Sequence, residues 1–146
     1  MYLVDANVLL YAADSTSRDH DSCREWLTSA LNGHARVGLP AQSIGAFLRI
    51  STHPRVMDRP LTSDEAWSIA AAWLEAPAAW VPEVTDHTLD VLGQLVVAHA
   101  VTGNLVTDAQ LAAQAAEHGL IVVTLDTDFA RFPVRTIDPR ATDAPS

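Results

Sequence analysis

The chain has 146 residues, with nine basic side chains against eighteen Asp and Glu, no Lys, and a formal net charge of −9. An acidic total excludes a protein that coats nucleic acid nonspecifically, since that affinity rests on basic side chains neutralising phosphates; an acidic site whose bound cation reverses the local sign stays open. The length fits one domain without a disulfide or structural metal, and the lone Cys23, the lack of a basic leader and the lack of a membrane-length apolar run point to a cytoplasmic protein.

In chain order, residues 2–4 read as a buried strand ended by Asp5, and a helix-like pattern follows. Residues 19–31 form an amphipathic pattern that places Cys23 as a small buried helix residue, stopped by Asn32 and Gly33. Arg36 to Leu39 is a second strand, Pro40 suits the first turn of a helix through about Ser51, and residues 52–60 are a loop. Thr62 with Glu65 makes a capping box for a helix that Pro77 ends. Residues 80–84 form a weak strand, and a helix follows from about Asp86 to Val101. After Gly103 the next helix has two candidate starts. Thr107 with Gln110 forms a capping box that Val106 and Leu111 staple, whereas Asn104 as the cap sets Asp108 one turn deeper. Residues 120–124 are the strongest strand in the sequence, and Arg135 to Asp138 a final short one. Residues 1–138 are thus expected to form the domain and residues 139–146 a frayed tail. Strands alternating with helices predict an α/β layer fold, a mostly parallel central sheet flanked by helices.

In such sheets ligands bind beyond the carboxyl ends of the strands. Asp5 and Asp126 both stand there; Asp128 lies two residues on, and Asp108 opens the helix that feeds the strand before Asp126. Singly each acid is ordinary cap or turn chemistry. Jointly they would repel one another and raise their pKa values unless a cation intervened. Oxygen donors without Cys or clustered His favour Mg2+, with Mn2+ as a substitute, over Zn2+.

The segments "LVDANVLLY", "GNLVTDAQLAA" and "TLDTDFARFP" resemble, in order and over nearly the whole chain, the PIN-domain ribonucleases and specifically the VapC toxins of bacterial toxin-antitoxin pairs. The resemblance implies a PIN-like fold and a Mg2+-dependent endoribonuclease that cleaves RNA phosphodiester bonds with metal-activated water. It makes Asp5, Asp108 and Asp126 the metal-binding acids and adds Asp128 to the catalytic set. Asn7 and Thr124 match supporting polar positions. It also implies a VapB-like antitoxin partner and a homodimer. One position departs from the family pattern: Ala46, three residues before Arg49, stands where a Glu is usual, so a second ion is expected to bind weakly. Gln42, one turn earlier on the same face, offers a neutral oxygen instead.

Arg49, Arg55, Arg59 and Arg131 are candidates for holding RNA phosphates, with solvated surface arginine as the plain alternative. Trp26, Trp67, Trp73 and Trp80 fit core or partner packing better than base stacking, and the helix bearing Trp67 and Trp73 is apolar enough to predict a covered surface. None of the six His has ligand-type spacing, and His118 reads as a helix C-terminal residue. A phosphatase using Asp126-x-Asp128 fails for want of Lys and of downstream chain, and a dinucleotide fold for want of a Gly-rich first turn. The remaining alternative is a catalytically degenerate PIN-like domain that acts only as a protein- or RNA-binding partner.

Overall fold

The computed structural model describes residues 1–141. Five strands, β1 (Tyr2–Val4), β2 (Val37–Gly38), β3 (Ala79–Trp80), β4 (Ile121–Val123) and β5 (Thr136–Ile137), form a sheet in the order β3-β2-β1-β4-β5 in which every pair is parallel. Six α-helices connect them: α1 (Ala6–Ala13), α2 (His20–Leu31), α3 (Ala41–Ser51), α4 (Ser63–Leu74), α5 (Asp86–Ala98) and α6 (Leu105–His118). The mostly parallel sheet expected from the sequence is wholly parallel, and part of the expected tail, residues 142–146, lies outside the described residues.

Alternation along the strands divides the core. Val4 and Val123 face one side, with Val8, Leu9, Trp26, Leu27 and Phe47 from α1 to α3; Leu3 and Val122 face the other, with Leu95, Leu111, Phe129 and Phe132. Burial on both faces is what a parallel sheet covered by helices demands. Ala109, Ala112, Ala113 and Ala115 give α6 a smooth buried face, and Gln114 within it donates to the Pro82 carbonyl at 2.8 Å. At the far end of α6, Glu117 accepts from the Thr85 and Thr88 hydroxyls and His118 Nε2 meets the Glu83 carbonyl at 3.0 Å, so one helix end is pinned to the segment entering α5. Gly38 has no room for a side chain: a Cβ there would stand 3.0 Å from the Tyr2 carbonyl of the neighbouring strand.

Several element ends differ from expectation for identifiable reasons. α6 starts at Leu105 with Asn104 at the cap position, so Thr107 forms no capping box and Val106 stays exposed while Leu111 is buried. Asn104 makes no side-chain cap bond either. α5 stops at Ala98, short of Val101, because Ala100 turns left-handed (φ +49°) and the Val101 N–H bonds back to the Val96 carbonyl at 3.0 Å, which buries Val101. α6 ends the same way with Gly119 in the left-handed position (φ +65°) and Leu120 N–H on the Ala115 carbonyl. Pro40 is the cap of α3 rather than a first-turn residue. The Thr62–Glu65 capping box forms as expected. Of the tryptophans, Trp26 is core, Trp73 packs edge-on against Phe47, Trp80 lies under the Arg36 guanidinium, and Trp67 stays half exposed on α4. Cys23 is buried, with its thiol pushed up to about 12 chiefly by that burial.

Candidate active site

The order β3-β2-β1-β4-β5 reverses direction between β1 and β4, and in open parallel sheets ligands bind beyond the strand ends at such a switch point. Asp5 follows directly on β1 and Thr124 directly on β4, with Asp126 two residues beyond. The two strand ends stay in register, since the Asp5 N–H donates to the Val123 carbonyl at 3.0 Å.

One buried hydroxyl organises this point. Thr124 Oγ1 donates to Asp5 Oδ2 at 2.7 Å and accepts from the Asp126 N–H at 3.0 Å and from the Asn7 amide at 3.3 Å. Asn7 Oδ1 in turn accepts from the Leu125 N–H at 3.4 Å. Asp5 Oδ1 takes the Ala6 N–H at 2.7 Å, so Asp5 caps α1, and Asp126 Oδ1 takes the Asp128 N–H at 2.8 Å, so Asp126 caps the 3-10 turn Thr127–Arg131. Capping and site chemistry are therefore not alternatives here. Each of these carboxylates spends lone pairs on a cap and keeps others free.

Carboxylate oxygens of Asp108, Asp126 and Asp128 all lie within 4.8 Å of one another. The tightest set thus has Asp128 as third member, with Asp5 beside it and coupled to it through charge. Burial raises the Asp5 pKa and the nearby Asp126 adds to the rise, against hydrogen bonds from Thr124 and Ala6 that lower it. Asp108 is pushed up to about 6, first by burial and then by Asp126, Asp5 and Asp128, with Arg131 alone opposing. Four acids thus share one field. Hard oxygen donors at this spacing suit a divalent cation of the Mg2+ or Mn2+ type, which would remove the repulsion.

Around the acids the structure sorts the other candidates. Arg131 stands 3.9 Å from Asp128, both side chains being well exposed. Arg59 sits at the opposite end of α1, in a depression lined also by Leu10, Asp14, Ser51 and Met57, while Arg49 and Arg55 are exposed. Gln42 reaches the last helix, its Nε2 donating to the Thr107 carbonyl at 3.0 Å. Ala46, one turn on, is half-buried. Its neighbour in the helix start, Ser43, is a residue that sequence reasoning passed over: it is buried and donates to the Val4 carbonyl at 2.7 Å. A serine in a first helical turn carries no signal of such a long-range bond.

The PIN domain family model matches residues 2–134. Ribonuclease VapC37 of Mycobacterium tuberculosis is 42% identical over 132 residues, which cover 90% of this chain and 92% of that protein. Ribonuclease VapC33 of the same species is 35% identical with the same coverage. Among solved structures, VapBC2 from Rickettsia felis bound to a promoter DNA fragment aligns with a TM-score of 0.69 at 15% identity, covering 94% of this chain and 97% of that one. FitAcB from Neisseria gonorrhoeae aligns at 0.66 and 19% identity, covering 97% and 100%.

Proposed function

This chain belongs to the PIN domain family, among the VapC ribonucleases, and from that premise we propose that it is a Mg2+-dependent endoribonuclease, the toxin of a VapBC-like toxin-antitoxin pair. The observation that carries the reading is the gathering of Asp108, Asp126 and Asp128 within 4.8 Å, beside Asp5, at the strand ends where the sheet order reverses.

Asp5, Asp108 and Asp126 would hold the cation directly or through water, and Asp128 would complete the acidic shell. Mn2+ substitutes for Mg2+ because the donors are oxygens without a tight cage. When bound, such an ion activates water and neutralises charge on a phosphodiester. The protein's own part is placement. Thr124 fixes Asp5 and the Asp126 backbone through one hydroxyl, and Asn7 braces that hydroxyl. Arg131, at the rim, is suited to a phosphate oxygen of the RNA. Arg131 is the arginine whose charge bears on Asp108, whereas the exposed Arg49, Arg55 and Arg59 would serve the flanking strand. No helix among the described residues is long and apolar enough to cross a membrane.

A VapB-like antitoxin is the expected protein partner, since an acidic crevice invites a basic segment whose Arg pairs with carboxylates in place of the cation. Half-exposed or exposed Trp67, Val84, Leu89 and Val97 leave apolar surface for a homodimer as well. Purified protein should cleave RNA only with Mg2+ or Mn2+, and Asp126→Asn should abolish cleavage. A folded wild-type protein that binds RNA but leaves it intact under all divalent cations would instead mark a binding-only PIN-like domain, the reading that Ala46 favours.

A further inference from the structure

Two consecutive residues at the start of α3 reach in different directions to two of the acid-bearing segments. Ser43 holds the carbonyl of Val4, the residue before Asp5, and Gln42 holds the carbonyl of Thr107, the residue before Asp108. Asp5 and Asp108, 103 residues apart in sequence, are thereby referred to one helical turn. Asp108 needs such a reference more than Asp5 does. Asp5 follows a paired strand and accepts two hydrogen bonds. Asp108 sits in the first turn of α6, where the Leu105 and Val106 N–H groups bond back to the Thr102 and Gly103 carbonyls but Asn104 supplies no side-chain cap, and its carboxylate accepts no hydrogen bond among the described residues. First turns of helices fray unless something ties them down. The Gln42 amide is the one side-chain hydrogen bond joining α3 to α6 among the described residues.

We infer that Gln42 is a positioning residue for the metal centre: its amide ties the first turn of α6, which has no side-chain cap, to α3 and so fixes where Asp108 presents its carboxylate to the cation. The inference rests on the ribonuclease reading above. Thr107 is itself an exposed residue with no chemistry of its own, so what Gln42 gains by holding its carbonyl is the placement of the next side chain. Groups that orient metal ligands from behind change metal affinity when removed, by about 10- to 100-fold. Gln42 acts on backbone next to the ligand rather than on the ligand, which puts its effect at roughly the tenfold end of that range.

The test is calorimetric titration of Mn2+ into the full chain without RNA, for wild type, Gln42→Met, Asp108→Asn and the double variant, with Asp5→Asn and its Gln42→Met double as the second cycle. Met keeps the length of Gln and removes only the donor. Circular dichroism melting establishes that each variant is folded. Gln42→Met should weaken Mn2+ binding roughly tenfold, lose that effect in the Asp108→Asn background, and keep it in the Asp5→Asn background, because only groups acting through one another couple in such cycles. The same weakening in all three backgrounds, or none in a folded Gln42→Met protein, would overturn the positioning role while leaving the metal site intact. Wild type that takes up no Mn2+, or Asp108→Asn that binds it undiminished, would instead overturn the metal-site reading and Gln42's role with it.

Discussion

Thr124 and Asp5, 119 residues apart in sequence, are joined by a 2.7 Å hydrogen bond from the threonine hydroxyl to Asp5 Oδ2, and the same hydroxyl accepts from Asp126 and Asn7. Thr124→Val keeps the shape of this buried side chain and deletes its polar atom. The Asp126 N–H and the Asn7 amide then lose an acceptor, at a cost of about 1 to 3 kcal/mol in stability. The Asp5 pKa should rise further, because the Thr124 bond is the largest influence lowering it. Urea denaturation and a carboxyl titration by NMR measure the two effects; an unchanged Asp5 titration in a folded variant would contradict the hub role.

Repulsion at the acids should be visible in the pH dependence of stability. Asp108 titrates at about 6 in the folded chain, against about 3.9 for an unperturbed Asp. A raised pKa means that the unfolded chain ionises first. The stability this carboxyl contributes is complete below about pH 4 and is lost as pH rises through about 6. Asp108→Asn, which never ionises, should gain on wild type across that window and end about 1 kcal/mol more stable at neutral pH, after allowance for solvent screening of a partly exposed group. Millimolar Mg2+ should reverse the order by stabilising wild type, by about 2.7 kcal/mol when the ion is at 100 times its Kd. A stability difference that is flat with pH would remove the case for charge crowding.

The position of Ala46 allows a gain-of-affinity experiment. It is half-buried one helical turn beyond Gln42, on the helix whose start touches the segment of Asp108. Ala46→Glu adds a carboxylate to an acidic cluster and should tighten Mn2+ binding, with a second ion becoming measurable. Overpacking costs about 1 to 3 kcal/mol in a closed core and less where a side chain can turn outward. Calorimetry on a variant shown to be folded decides the matter: no gain in affinity means that this face of α3 looks away from the ion.

Ala100 offers a stability prediction far from the acids. It holds a left-handed conformation (φ +49°) at the end of α5, where the equivalent turn after α6 uses Gly119. A side chain in that region costs roughly 1 to 2 kcal/mol, and replacing it by Gly returns about 0.4 to 1 kcal/mol to the unfolded chain as entropy. Ala100→Gly should therefore stabilise the protein by about 0.5 to 1 kcal/mol. Thermal melts read this directly, and a lowered Tm would show that the surroundings have adapted to the alanine.

The parts of the fold that were legible in the sequence are those set by short-range physics. The Thr62–Glu65 box, the β-branched run before Thr124 and the Asn32–Gly33 stop are local signals, and each marks an element end within a residue or two. The α6 start was ambiguous because Thr107 and Gln110 satisfy a capping pattern locally, yet the helix runs through them and gains burial from Leu111 onward. The overrun of α5 past Ala98 has a similar origin: nothing local to Ala100 favours a left-handed turn, and the burial of Val101 imposes it. Asp5 and Asp126 stood out as candidates by their place after strands, and Asp108 by its place at a helix start and by the resemblance. Their bracing was not, since Ser43 to Val4 and Gln42 to Thr107 are contacts between residues with no pattern in common.

Both margins of the sheet are strands of two residues, β3 and β5. A protein that recruits partners by adding a strand needs an exposed backbone rail several residues long, because main-chain bonds supply the affinity in that mode. Here the rail is too short at either border to hold a guest segment. A partner of this domain would therefore have to meet helix faces or the acidic loops, where recognition reads side chains rather than a backbone rail.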